Sequence, residues 1–363
     1  MLLCYWCFGY GAWLCLALML AAGIIAHHQK LSALLAVGIL LLPATQYPAT
    51  TWWSKPDLDR EYVLSLDVEH YFGNIQKMRK HLETDRQILW VTYYRNLYNA
   101  THPSEINSPV SLSRNLLAWN QPGTNGLILP VNPSASFLSI LFANELWFTL
   151  GDMTMAEHCA MLSMIFSPRN SGSRMIKRLA EINLVNGDDE AALKYLRILD
   201  KTLLHKSWAE KRIPGQQTPR VKEWLEKKRR DIPTQDQLRS GNDAVTSLRN
   251  LVASNAGNLR AYEYLLCYHL LSKDLRSFVE DYVPGKVSSP IFAEALLIHL
   301  ARQGNIRAEE LIKYQIPVEI AKEFADYTRI YEAKDTSLKE KYGKTYWFYY
   351  HFATTEPGKE SKP

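Results

Sequence analysis

The sequence predicts an all-α protein in which an N-terminal transmembrane helical hairpin is followed by an irregular α-solenoid. Three observations carry that prediction. Charge is missing from one end: between Met1 and Pro43 the only formally charged side chain is Lys30, whereas all 37 acidic residues and 41 of the 42 basic ones lie at Lys55 or beyond. Beyond Ser54, apolar residues recur with the spacing of a helix face, and no run alternates as a half-buried strand does. A helix–turn–helix pattern then occurs twice at a fixed offset. The composition agrees, since 363 residues with 47% hydrophobic and 22% charged side chains describe a folded chain, neither collagen-like nor wholly disordered.

Leu2 to Ala26 is an uncharged run of 25 residues, and about 20 helical residues cross a hydrocarbon core of about 30 Å. No basic region precedes it, and it exceeds the about 7–15 apolar residues of a signal peptide, which argues against cleavage. Ala21, Ala22 and Gly23 are not followed by the cysteine that a lipoprotein signal needs. The polar turn Ala26-His27-His28-Gln29-Lys30 leads to a second apolar run of 12 residues, Leu31 to Leu42, extendable toward Tyr47. Trp52 and Trp53 then stand where interfacial aromatics anchor a membrane helix. The reading is two spans, about 2–26 and 31–47; the alternative is one span with an interfacial or re-entrant piece. Cys4 and Cys7 have the spacing of a redox or metal pair, but they share one lipid-embedded helix with no basic neighbour to lower a thiol pKa. His27 and His28 read as the polar tip of the hairpin. Two spans put the N-terminus and the large domain on one side, and Lys55 and Arg60 at the exit outweigh Lys30 in the hairpin. The domain is therefore expected on the cytoplasmic side of the inner (cytoplasmic) membrane.

The rest of the chain divides by composition. Residues 56–100 read as an N-terminal helical hairpin region, and 101–133, rich in Asn, Pro and Ser, as an irregular insertion with one short helix near Leu112 to Trp119. Residues 134–213 form the repeat array, 214–242 a basic linker, 243–353 C-terminal repeats with an aromatic cap, and 354–363 a disordered tail. Within the array, Glu145 to Asp152 ends in Gly-Asp and is followed by Ala156, and Glu181 to Asp188 ends likewise before Ala192, an offset of 36 residues. Gly151 and Gly187 permit the left-handed turn that ends a helix, Asp152 and Asp188 cap the next helix, and Ala156 and Ala192 let two backbones approach where helices cross. Similar turns stand at Gly73-Asn74, Lys273-Asp274 and Gly304-Asn305, making five candidate helix pairs. The period is close to that of tetratricopeptide hairpins, about 34 residues, so the predicted solenoid is tetratricopeptide-like.

Three segments carry a wider resemblance: Ser173 to Asp188, Tyr264 to Leu271, and the aromatic run Tyr342 to Phe352. On these the chain resembles a bacterial family of integral membrane proteins of unknown function, over most of its length after about Tyr62. The resemblance implies a membrane region followed by a helical, tetratricopeptide-like C-terminal region, and it transfers no catalytic residue. Such proteins carry more spans than the two read here.

No constellation for chemistry stands out. The His-Glu-x-x-His zinc pattern, the phosphate-binding Gly-x-x-x-x-Gly-Lys loop, the Gly-x-Ser-x-Gly elbow and the dinucleotide glycine fingerprint are all missing. No catalytic role and no cofactor or metal is therefore expected. His158, His269 and His299 read as core histidines bonded to neighbouring carbonyls, and Cys159 and Cys267 as small core residues. The aromatics Tyr346 to Phe352 read as a cap over the last repeat, although with Tyr98, Trp119 and Trp147 they could stack sugars. The strongest candidate contact outside the membrane is basic: Lys206, Lys211, Arg212, Arg220, Lys222, Lys227, Lys228, Arg229 and Arg230, set against Glu210, Glu223 and Glu226. It is a solvated face or an anionic surface contact, with membrane lipid as the partner; a net charge of +5 is too small to favour nucleic acid. The function expected is a membrane-anchored helical-repeat scaffold that binds a protein or peptide partner. The alternative is an accessory subunit of a membrane transport or envelope-polysaccharide system with carbohydrate contacts.

Overall fold

One backbone turn, repeated along the chain, organises the structure. In a computed structural model, residues 55–82, 88–101, 127–129, 131, 136–167, 172–234 and 243–353 are described. They contain helices and, among the described residues, no strand. The expected spans 2–26 and 31–47, the helix near Leu112 to Trp119 and the tail 354–363 lie outside the described residues. None of the described helices is long and apolar enough to cross a membrane.

The chain divides into two compact units, 1–81 and 82–363. In the first, α1 (Lys55–Phe72) and α2 (Ile75–Leu82) are joined at Gly73-Asn74, and the Tyr62 hydroxyl donates to the His81 carbonyl. In the second, α3 (Leu89–Thr101) precedes the hairpins α4 (Phe137–Leu150) with α5 (Met153–Phe166), and α6 (Ser173–Asn186) with α7 (Asp189–Asp200). Then come α8 (Lys206–Glu210), α9 (Pro219–Arg229), α10 (Ala244–Ser254), α11 (Leu259–Leu271), α12 (Leu275–Asp281) and α13 (Pro290–Arg302). The chain finishes with α14 (Ala308–Lys313), α15 (Val318–Glu332), α16 (Leu338–Tyr342) and α17 (Tyr346–Phe352). Neighbouring helices pack in sequence, α4 on α5, α5 on α6 and α6 on α7.

Both turns of the 36-residue correspondence have the same geometry. Gly151 and Gly187 are left-handed, at φ 92° and 82°, and the next residue donates back five positions, Asp152 to Trp147 O at 3.0 Å and Asp188 to Asn183 O at 2.9 Å. The carboxylates of Asp152 and Asp188 then accept from Met155 N at 2.8 Å and Ala191 N at 2.9 Å, so each residue ends one helix and caps the next. Ala156 and Ala192 are fully buried at the corresponding places. At the first crossing the Asn144 amide donates to Ala156 O at 2.6 Å. Lys273-Asp274 repeats the whole device, with Asp274 N to His269 O at 2.9 Å and Ser277 N to the Asp274 carboxylate at 3.0 Å. Gly73-Asn74 and Gly304-Asn305 repeat its backbone half. Two further copies, Gln315-Ile316 and Lys334-Asp335, carry no glycine.

A helix end leaves carbonyls without intrahelical donors, and here later parts of the chain supply them. Thr149 O and Leu150 O of α4 accept from Arg260 at 3.0 Å and Asn258 at 2.7 Å. Leu184 O and Val185 O of α6 accept from Arg229 at 2.7 and 3.0 Å. Leu270 O and Leu271 O of α11 accept from the hydroxyls of Tyr346 and Tyr349 at 3.0 and 2.8 Å. Gly151 sits inside the first of these joints: a Cβ added there would overlap the Asp231 carbonyl oxygen, which itself accepts from Asn258 at 2.7 Å.

Candidate functional site

The basic segment that reads as a linker contains the helix α9, and this helix packs on α6. Thr218 and Pro219 begin it, Pro219 falling at the first helical turn where its missing N–H costs nothing. Val221 and Leu225 are buried, and Trp224 and Lys228 half-buried, a stripe at helical spacing that faces the hairpins. Trp224 stacks on Phe148 of α4 at 6.2 Å between centroids. Around Phe148 the wall is charged: Glu145 pairs with Arg174 at 2.9 Å and with Arg178, and Arg178 also reaches Glu181 at 3.0 Å while lying 3.9 Å over the Phe148 ring.

This packing sorts the nine basic residues into two groups. Three are consumed by the fold. Arg212 lies 4.1 Å over the Trp208 ring and donates to Trp208 O at 3.2 Å; Arg229 closes the end of α6; Lys228 lies 4.6 Å over Phe148 and donates to Phe148 O at 3.4 Å. Burial, with Arg260 and Arg178 nearby, pushes the Lys228 ammonium down to about 8. Burial likewise lowers Lys177, which sits 5.2 Å from the Trp208 ring. The other six, Lys206, Lys211, Arg220, Lys222, Lys227 and Arg230, are exposed, as Arg229 also is, and form no ion pair among the described residues. The four repeat-packing residues, Gly151, Ala156, Gly187 and Ala192, stand in the turns and crossings of the hairpins α4–α5 and α6–α7.

The remaining candidates take structural places. His269 is buried and bonds the Asp281 carboxylate at 2.8 Å, which also receives Arg249 at 2.8 Å; the expected partner was a carbonyl. His158 is exposed and His299 half-buried. Cys159 and Cys267 are buried and, among the described residues, in no disulfide, and burial raises the Cys267 thiol well above its usual range. Among the described residues, no three His, Cys, Asp or Glu side chains are grouped as metal ligands. In the aromatic end, Tyr346, Trp347 and Tyr349 are buried, and the Trp347 indole donates to Glu294 O at 3.0 Å; Tyr331 and Phe352 keep exposed faces. Sequence reasoning missed α9 and the division of its charges, although Pro219 followed by Val221, Trp224, Leu225 and Lys228 is a readable helix signal.

Fold and site together define an all-helical protein of capped helical hairpins, with exposed basic side chains interspersed with the exposed Glu210, Glu223 and Glu226 along α8 and α9. Residues 31–353 match a family of unknown function (DUF6057), and the chain belongs to that family. No curated protein and no solved structure matches the chain.

Proposed function

We propose that this protein is a membrane-anchored, non-catalytic helical-repeat scaffold, tetratricopeptide-like in its hairpins, that binds an acidic protein or peptide partner through the outer face of α8 and α9. One observation carries this reading: α9 is held by its inner side while six basic side chains on and beside α8 and α9 remain exposed and, among the described residues, without an ion pair. A single exposed ion pair contributes about 0–1 kcal/mol, so a partner gains affinity only by meeting several of these cations together. A rigid support favours that, because the docked helix fixes the spacing of its charges before the partner arrives. The uncharged run 2–26 and the run 31–47 would hold the chain in the cytoplasmic membrane, with lipid as its second partner and the basic face on the cytoplasmic side.

The test is extraction of the full chain in mild detergent at low salt, followed by identification of what stays bound. A stoichiometric acidic protein that leaves as salt rises toward 1 M, where the screening length falls to about 3 Å, is the expected result. Purification with no stoichiometric protein at low salt, or with one that ignores salt, would overturn the reading.

A further inference from the structure

The turn between α7 and α8 projects two leucines into solvent. Leu203 is 97% and Leu204 85% exposed, more than any other large apolar side chain among the described residues. They do not sit on a frayed end. Thr202 braces the turn from both sides: its hydroxyl donates to Leu199 O at 2.7 Å and accepts from His205 N at 3.1 Å, while its carbonyl accepts from Lys206 N at 3.2 Å. Leu199 before the turn and Ala209 after it are buried in one cluster with Ala180 and Leu196. The fold thus spends ordered backbone on presenting two apolar side chains outward, where a soluble turn ordinarily carries polar residues. Lys201 and Lys206 flank the pair, two residues away on either side, both exposed and, among the described residues, in no ion pair, with Arg197 and Lys211 exposed beyond them. Asp200 and Glu210 are the nearby acids, so the basic side chains outnumber them.

An apolar tip collared by ammonium groups matches the layering of an anionic lipid surface, in which phosphates lie above acyl chains. We propose that the Leu203–Leu204 turn is a membrane-contact site, burying both leucines at the headgroup–acyl boundary while Lys201 and Lys206 meet lipid phosphates. Of the partner-face cations this contact uses only Lys206; Leu203, Leu204 and Lys201 lie outside that face. It gives the helical domain its own hold on the bilayer.

The proposal is tested with the full chain in vesicles of phosphatidylcholine with or without phosphatidylglycerol, doped with a phospholipid that carries a photoreactive acyl chain. Irradiation and tryptic mapping should place lipid adducts on peptide 202–206, with a yield about fivefold or more higher in the anionic vesicles. The double variant Leu203→Ser/Leu204→Ser should lose those adducts by more than about tenfold and melt as the parent does, because the leucines are almost wholly exposed. Lys201→Glu/Lys206→Glu, read on the tryptic peptide 198–211 that it creates, should remove the preference for phosphatidylglycerol. Adducts on 202–206 no more abundant than those on residues 189–194 at the other end of α7, or unchanged by the leucine variant, would overturn it; so would equal yields in the two vesicle types. No protein partner is present, so neither failure nor success of the α9 reading affects the outcome.

Discussion

Replacing Gly151 and Gly187 by alanine, one at a time, separates two roles that the same turn plays. Both glycines are left-handed, at φ 92° and 82°, and alanine in that region costs about 1–2 kcal/mol at either position. Beyond that they differ. Nothing lies within 4 Å of a Cβ added at Gly187, whereas one added at Gly151 would overlap the Asp231 carbonyl oxygen. Relief requires the Asp231 backbone to move, and three bonds depend on where it stands: Asn258 to Asp231 O and to Leu150 O, both 2.7 Å, and Arg260 to the Asp231 carboxylate at 3.1 Å. At about 0.5–1.5 kcal/mol each, their loss adds about 2–3 kcal/mol. Gly151→Ala should therefore cost about 3–5 kcal/mol and Gly187→Ala about 1–2. The assay is unfolding of both variants and the parent in the same micelles, followed by helical circular dichroism, so that errors in the absolute scale cancel. A Gly151→Ala variant within about 0.5 kcal/mol of Gly187→Ala would refute the joint between α4, the segment after α9 and α11.

Ala192 is fully buried where α6 and α7 cross, so Ala192→Arg should destabilise by about 2–4 kcal/mol through overpacking and an unpaired buried charge, measured by the same melts, whereas Ile198→Arg, at a half-exposed position, should be nearly neutral. Lys228 titrates near 8 in the folded chain against 10.5 unfolded, so between those values the unfolded chain binds more protons and stability rises with pH. Lys228→Met should flatten that rise and stabilise the protein by about 1–2 kcal/mol at pH 7, the gain being limited by loss of the contacts with Phe148; an unchanged pH slope would count against the buried ammonium. Ser289 occupies the N-cap of α13 without a cap bond, and its buried hydroxyl has no partner among the described residues, so Ser289→Ala should be neutral or stabilising in denaturant titrations. Asp188→Ala, which removes a real cap, should cost about 1 kcal/mol in the same titrations.

The helical class, the turns and the buried alanines were legible because their signals are local. Apolar spacing names a helix, and a Gly-Asp pair names a C-cap joined to an N-cap. Gln315 was not legible, because it adopts the same left-handed turn with neither glycine nor a following Asp or Asn to mark it, whereas Lys334-Asp335 repeats the Lys273-Asp274 signal and was missed. The fate of the basic run was illegible for another reason. Charge density along a sequence does not say that Arg229 will reach the end of α6, 44 residues away, or that Lys228 will lie on Phe148, 80 residues away. Such side chain to carbonyl bonds are made across the fold, so Lys228 and Arg229 look in the sequence like their neighbours that make none. Leu203 and Leu204 were hidden similarly, since an apolar pair after a helix reads as core until its exposure is measured.

The claim on which the functional account turns is that the outer charges of α8 and α9 serve a partner while the inner ones serve the fold. Its most direct measurement is the amount of acidic partner retained, per molecule of full chain, by Lys222→Glu/Lys227→Glu/Arg230→Glu and by the parent, with the melting temperature of each recorded. The account predicts that the triple variant melts within about 2 °C of the parent, as exposed unpaired residues should, and loses nearly all of the partner. A triple variant that melts normally and retains the partner in full would contradict it.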